Sequence, residues 1–496
     1  MTKHHTWEIT FAIFLLSVAV ASPAQDFTSL FSFGVKNGEE PTYVSLVQGR
    51  DGEFYGTTSQ GGDQSGGTVF KITAQGTLTS LYSFCFIGQS CTSGYGPMAG
   101  LVQGVDGNFY GTTELGGEAR YCGGPDGCGT LFSVTPDGAF TTLHSFCALP
   151  GCADGSYPIA SLAEGLSGRF YGTTLGGGKA GDGEVYSITA KGGLTTIYTF
   201  CSLPNCSDGN GPRAGLILGT DGELYGTTSA GGANSQGTIF SLSETGRLKT
   251  LYSFCSQPNC TDGAAPFAGV VQGTDGNFYG VTFQGGDLEC NPPSGCGTVY
   301  EVTRAGVLTT LHTFEGPYID GANPTASLVQ GTDGNLYGTT ALGGTAQCYR
   351  GGSACGTLFS IAPHVGLTLL HSFDASDGAE PSGGLVEGTN GSFYGTTTLG
   401  GSGDANSGTV FSLDMKLSPF VTFLQPFGRV SQTGGILGQG FTGTTSVMLN
   451  GVPASFNVIS DTFIRATVPS GATTGYVTVT TPTGVLTSNV QFHVIP

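Results

Sequence analysis

Tryptophan is almost missing from this 496-residue chain: the one copy, Trp7, stands beside an apolar run at the N-terminus. A ligand site built on indole stacking is therefore disfavoured, although tyrosine remains available for the same task. Charge is scarce too, at 10% of residues, and the sixteen Lys and Arg are outnumbered by thirty-five Asp and Glu. A formal charge of −19 makes a poor polyanion binder and argues against nucleic acid as a partner. There are seven histidines, and no HExxH, P-loop or nucleophile-elbow pattern. Long apolar runs are also lacking. The stretch Ile9–Val20 is too short to span a bilayer and reads as the core of a secretory signal. Small residues at Ala19–Ala21 and Ser22–Ala24 offer cleavage points, and a cut after Ala24 is expected. No cysteine follows the run, which disfavours a lipoprotein anchor, and no membrane span remains after the signal is removed.

Glycine, by contrast, reaches 87 copies, spaced among aromatic and β-branched residues. That pattern signals many tight turns in an all-β protein rather than disorder. A phrase of the form DGxFYGTT recurs, with its tyrosine at Tyr55, Tyr110, Tyr171, Tyr225, Tyr279, Tyr337 and Tyr394, at intervals of 54 to 61 residues. A period of that length suits a four-stranded propeller blade. Four strand-like segments per unit can be read, for example 326–331, 335–340, 356–361 and 367–373. Asp-Gly joins the first two, and its aspartate is expected to make a tight turn rather than bind calcium. The ends are out of phase. A lone fourth-type strand, Phe27–Phe33, opens the series, and the last copy stops after its third type at Gly408–Leu413. Joining them completes a seventh blade and closes the ring without a free edge.

The long connections, from second to third and from fourth to next first strand, share one face. All fourteen cysteines lie on them as seven close pairs: Cys85/Cys91, Cys122/Cys128, Cys147/Cys152, Cys201/Cys206, Cys255/Cys260, Cys290/Cys296 and Cys348/Cys355. In an exported protein these read as disulfides rather than metal knuckles. A recurring DGxxP on the same face supplies Asp154, Asp208, Asp262, Asp320 and Asp377 as candidate ligand-binding residues, with Asn37 and Ser93 in the other two places. The competing reading is an Asx-type turn whose proline sets entry to the innermost strand. His144, His312 and His371 fill the slot that Tyr82, Tyr198 and Tyr252 occupy in other fourth strands. They read as outer-strand packing or surface residues.

The units resemble the Gloeobacter/Verrucomicrobia-type tandem repeat of exported choice-of-anchor proteins. The likeness rests on Asp106–Thr113, on Gly116-Gly117 and on Gly129–Thr135, and covers about residues 27–414. It implies a propeller-like architecture and export more than an activity. Beyond Leu417 the wording changes, with an Asn450-Gly451 turn and alternating residues; this region is similar to the IPT/TIG immunoglobulin-like domain. The expected organisation is a signal over 1–24, a seven-bladed β-propeller over 25–416 and an immunoglobulin-like β-sandwich over 417–496. No catalytic residue, metal or cofactor is assigned. The expected role is a non-catalytic recognition or adhesion module, secreted, at the cell surface or in the periplasm, that binds an extracellular polymer, glycan or protein through the long-loop face. The alternatives are a propeller hydrolase or lyase acting on an extracellular polysaccharide, and a purely structural surface protein.

Overall fold

A computed structural model describes residues 25–85, 91–118, 121–122, 126–344, 355–402 and 406–495. The predicted signal, 1–24, and Cys348, the expected partner of Cys355, lie outside the described residues. Within them are seven four-stranded antiparallel sheets of one repeating topology. Six are sequential, over 47–83, 102–145, 163–199, 217–253, 271–313 and 329–372, and are called blades 1 to 6. The last, blade 7, takes three strands from 386–414 and its outermost from the other end of the chain. Asp26–Ser32 pairs antiparallel with Thr409–Asp414, from Asp26 opposite Asp414 to Ser32 opposite Thr409. The ring closes as the phase of the repeats requires.

Each letter of the recurring phrase contributes to the wall between blades. The second strand, FYGTT in blade 1, is buried at every position, because neighbouring blades cover both of its faces. Its aromatic residue stacks on the tyrosine of the preceding blade: Phe109 on Tyr55 at 3.9 Å, Phe278 on Tyr225 at 4.0 Å and, across the closure, Phe54 on Tyr394 at 4.0 Å. The glycine after the tyrosine leaves room for a third-strand ring; a Cβ on Gly56 would lie 2.8 Å from Phe70. The first threonine reaches the next blade, as Thr57 Oγ1 donates to the Ala99 carbonyl at 3.0 Å and Thr396 Oγ1 to that of Val44 at 3.0 Å. The second joins the third strand, with Thr58 Oγ1 2.9 Å from Thr68 Oγ1.

Two features depart from simple alternation. The innermost strand has only two ladder residues, Val329–Gln330 in blade 6, where a six-residue segment is expected. The residues before it line the central channel rather than pair with the second strand. The outer strand carries a bulge in every blade. In blade 1 Tyr82 faces Val69 but Ser80 faces Phe70, which leaves Leu81 over; in the exchanged strand Leu30 is left over in the same way. Bulges add local twist, and here the carbonyl of the extra residue meets the next blade's hairpin. A Cβ on Gly76 would lie 2.5 Å from the Leu30 oxygen.

The C-terminal region forms two four-stranded sheets and a two-stranded parallel pair, Phe427–Arg429 with His493–Ile495. The sheets face each other across a core that includes Val421, Ile436, Phe441, Ile464 and Phe492. This sandwich sits on the short-turn face of the ring. Thr462 Oγ1 donates to the Arg50 carbonyl at 2.6 Å, Gln425 Nε2 to Gly165 at 3.3 Å, and the Phe420 amide to Thr389 at 3.1 Å. Those acceptors are the first-to-second strand turns of blades 1, 3 and 7. Among the described residues, none of the sandwich covers the long-loop face.

Candidate functional site

The five DGxxP aspartates are turned into their own loops. Asp262 accepts from the Tyr252 hydroxyl at 2.7 Å and from the amides of Ser256 and Gln257 at 2.9 and 3.2 Å. Asp208 repeats the set with Tyr198, Ser202 and Leu203. In the other three a histidine replaces the tyrosine: His144 lies 3.1 Å from Asp154, and His312 and His371 each 2.7 Å from Asp320 and Asp377. The outer-strand histidines therefore hold loops as well as pack. All of these carboxylates but that of Asp377 are buried. Burial raises the Asp154 pKa, yet the His144 hydrogen bond and the amides of Leu149 and Ala148 outweigh it and keep the group ionised below the usual range. The residue before each proline has positive φ, from 49° at Ala265 to 64° at Gly96, which turns the chain down into the channel wall.

Three consecutive connections share one compact build, over 147–155, 201–209 and 255–263. Each is bridged by its disulfide, Cys147–Cys152, Cys201–Cys206 and Cys255–Cys260. A proline opens a single 3-10 turn, and Gly151, Asn205 or Asn259 takes the left-handed position inside it. Cys85–Cys91, Cys122–Cys128 and Cys290–Cys296 are also bonded. Two clusters with metal-like spacing, Cys122, Cys128, Cys147 and Asp182, Cys201, Cys206, owe their sulfurs to these bridges, and a disulfide sulfur is not a thiolate ligand.

What the fold brings together is a residue just past the proline of each loop. Ile159, Arg213, Phe267, Thr325 and Ser382, each directly after its proline, line one cavity at the long-loop end of the channel, with Tyr43 and Ala99, each two places past theirs, from blades 1 and 2. The strands around it repeat closely; here the copies differ at almost every turn. One side is aromatic and charged. The Arg213 guanidinium sits 5.0 Å over the Phe267 ring, which stacks on Phe283 at 4.5 Å. Burial raises the pKa of nearby Glu114 and Arg213 opposes the rise. The other side carries hydroxyls: Ser382 Oγ lies 2.6 Å from Thr398 and accepts from the Tyr43 amide at 3.0 Å, and the buried Thr325 hydroxyl has no hydrogen-bond partner among the described residues. Among the described residues no Asp or Glu lines this cavity. Reading the sequence by its repeated letters missed this ring. The signal was there one or two places past a fixed proline, where the copies disagree.

The carboxylates with the largest rises in pKa lie elsewhere. Burial lifts Glu184 to about 8, and Glu164 and Glu387 to about 7. Glu387 accepts from the Thr332 amide and hydroxyl at 3.0 and 2.8 Å, and Glu164 from the Val105 amide. Both continue a series in which an innermost-strand glutamine caps the preceding blade, as Gln272 Oε1 accepts from the Thr220 amide at 2.9 Å. They are parts of the wall.

Repeated four-stranded sheets, closed in a ring by the first strand, define a tandem-repeat propeller with a sandwich on one face. The chain belongs to the Gloeobacter/Verrucomicrobia repeat family, whose model matches residues 17–122, 119–347 and 256–456. No curated protein matches it. Similar solved structures include one described as the extracellular domain of a hybrid two component system from B. thetaiotaomicron, at 11% identity and TM-score 0.47. The match covers 84% of this chain and 45% of that one, so this chain spans less than half its length. Another is an auxiliary nutrient binding protein from Bacteroides ovatus, at 13% identity and TM-score 0.40, covering 78% and 76% of the two chains. At this identity and overlap the likeness says nothing of ligand or activity. No helix among the described residues is long and apolar enough to cross a membrane.

Proposed function

We propose that the protein is an exported, non-catalytic recognition module that binds a glycan, polymer or protein over the long-loop mouth of the channel. The observation that carries this reading is the ring around Arg213 and Phe267. A chain that repeats itself almost everywhere differs at these positions, on the face that its own sandwich leaves open. Variable loops on a rigid ring are where binding surfaces arise. In this reading the five aspartates and the disulfides act beneath the surface, as anchors that hold the loops to shape. The bridged cysteines support export.

The test is a glycan and polymer binding array on the purified chain lacking residues 1–24, with a hydrolysis assay in parallel. A ligand should bind the parent and lose at least tenfold in affinity with Arg213→Ala or Phe267→Ala. Binding unchanged by both variants would place recognition elsewhere, and turnover of a polymer would favour the enzyme.

A further inference from the structure

The short-turn face holds a second concavity, between the ring and the sandwich. It is a cleft of about 380 Å³ lined from the ring by Arg50, Val105 and Leu166 and from the sandwich by Phe427, Phe463 and Arg465, among others. We infer that this cleft binds a small oxyanion, held by Arg465 and Arg50, with any attached body resting on the apolar wall.

Two of the chain's sixteen basic residues meet here, although the molecule as a whole is strongly acidic. Arg50 is fixed. Its Nη2 donates to the carbonyls of Gly104 at 3.2 Å and Val105 at 2.6 Å, and its guanidinium lies 4.9 Å from the Phe463 ring centroid. Burial, and then the nearby charge of Arg465, lowers its pKa. Asp106 and Glu164 act on Arg50 in the opposite sense, but neither lines the cleft. Arg465 projects from the strand Phe463–Thr467, is exposed, and has no carboxylate within ion-pair distance among the described residues. Two like charges held together oppose each other until an anion joins them, and the free guanidinium offers the paired donors that suit a carboxylate or phosphate. A pocket at the junction of two packed units, part apolar and part charged, is a common place for a small ligand. The cleft is on the opposite face from the channel mouth, so it stands or falls independently of the function proposed above.

Isothermal titration at low salt tests it, with sodium glucuronate, inorganic phosphate and neutral glucose as probes on the chain lacking residues 1–24. Glucuronate or phosphate should bind and glucose should not. The anion that binds tells whether the ligand is a sugar acid or a free oxyanion. Arg465→Ala should weaken binding at least tenfold and Arg465→Lys less, with the thermal midpoint unchanged because the side chain is exposed and unpaired. The inference is overturned if neither anion binds at millimolar concentration, or if binding is indifferent to both Arg465 variants.

Discussion

The two faces of the ring are pinned by the same residue type in different ways. On the short-turn face an aspartate accepts from the tyrosine four places on and from the amide two places on, as Asp275 does with Tyr279 at 2.8 Å and Asn277 at 3.0 Å. On the long-loop face Asp262 reaches back ten places to Tyr252 and takes two amides in between. The first device closes a hairpin and fixes a ring that belongs to the inter-blade wall. The second closes a loop and leaves its outer side free to vary. One face thus carries the architecture and receives the sandwich, while the other can change without disturbing the wall.

Both faces depend on closure, so the largest effect should come from deleting residues 26–32. The row of backbone groups on Thr409–Asp414 would become an open edge, and Phe27 would leave its stack on His371 at 3.8 Å. The expected outcome is a thermal midpoint lower by more than 10 °C, with association visible by size exclusion. A monomer of parental stability would show that the exchanged strand is dispensable to both faces.

The floor of the long-loop face offers the next test. Glu184 stands where other blades carry Thr68, Thr130, Thr238, Thr298, Thr357 and Thr409. It is fully buried, accepts from Thr196 Oγ1 at 3.3 Å and leaves its other oxygen without a partner among the described residues. Burial pushes its carboxyl up to about 8 in the folded protein, well above the usual carboxylate range. The stability linked to this proton is therefore complete at low pH. It declines as the unfolded chain ionises and is lost as pH rises through about 8. At about 1.4 kcal/mol per unit of pKa difference, the span amounts to a few kcal/mol at most. Denaturant midpoints from pH 5 to 9 should fall more steeply for the parent than for Glu184→Gln, which keeps the slope due to Glu164 and Glu387; parallel slopes would remove Glu184 as a cause.

A paired substitution compares the two devices directly. Asp275→Ala should cost about 2 kcal/mol globally, since it leaves the Tyr279 hydroxyl half-buried in the wall without its acceptor. Asp262→Ala frees one hydroxyl and two amides, yet its effect should be concentrated in 255–263, as faster hydrogen exchange and proteolysis there. Equal global losses without local opening would mean that the two faces are not mechanically distinct.

Much of this was legible because a repeat reports on itself. The out-of-phase ends named the strands that close the ring, Phe27–Phe33 and Gly408–Leu413, to within a residue of the observed pairing. The close cysteine pairs named six bridges among the described residues. What stayed hidden depends on contacts between repeats. The bulge at Leu81 breaks no composition rule, and Gln272 looks like an ordinary strand glutamine until its amide meets Thr220 of the neighbouring blade. His144 and Tyr198 share a slot because each can donate to an aspartate ten places on, which alternation alone does not reveal. The seating of the sandwich on Arg50, Gly165 and Thr389 links residues hundreds of positions apart.

The smallest effect should follow reduction. Each bridge spans only five or six positions, and loops that short yield about 2 kcal/mol apiece at most in the chain-entropy account. The stapled loops also keep a second closure that reduction does not touch. The Cys147, Cys201 and Cys255 amides bond to Gly155, Gly209 and Gly263 at 3.0, 3.0 and 3.1 Å, and Asp154, Asp208 and Asp262 remain in place beneath. A thiol reductant should therefore lower the thermal midpoint by several degrees and speed cleavage within 147–155, 201–209 and 255–263, while the short-turn face resists. The far-ultraviolet β signal at 25 °C should hold, because the ladders and inter-blade stacks contain no cysteine. If that signal collapsed on mild reduction, the staples would be holding the ring itself, and the division of labour between the two faces would be wrong.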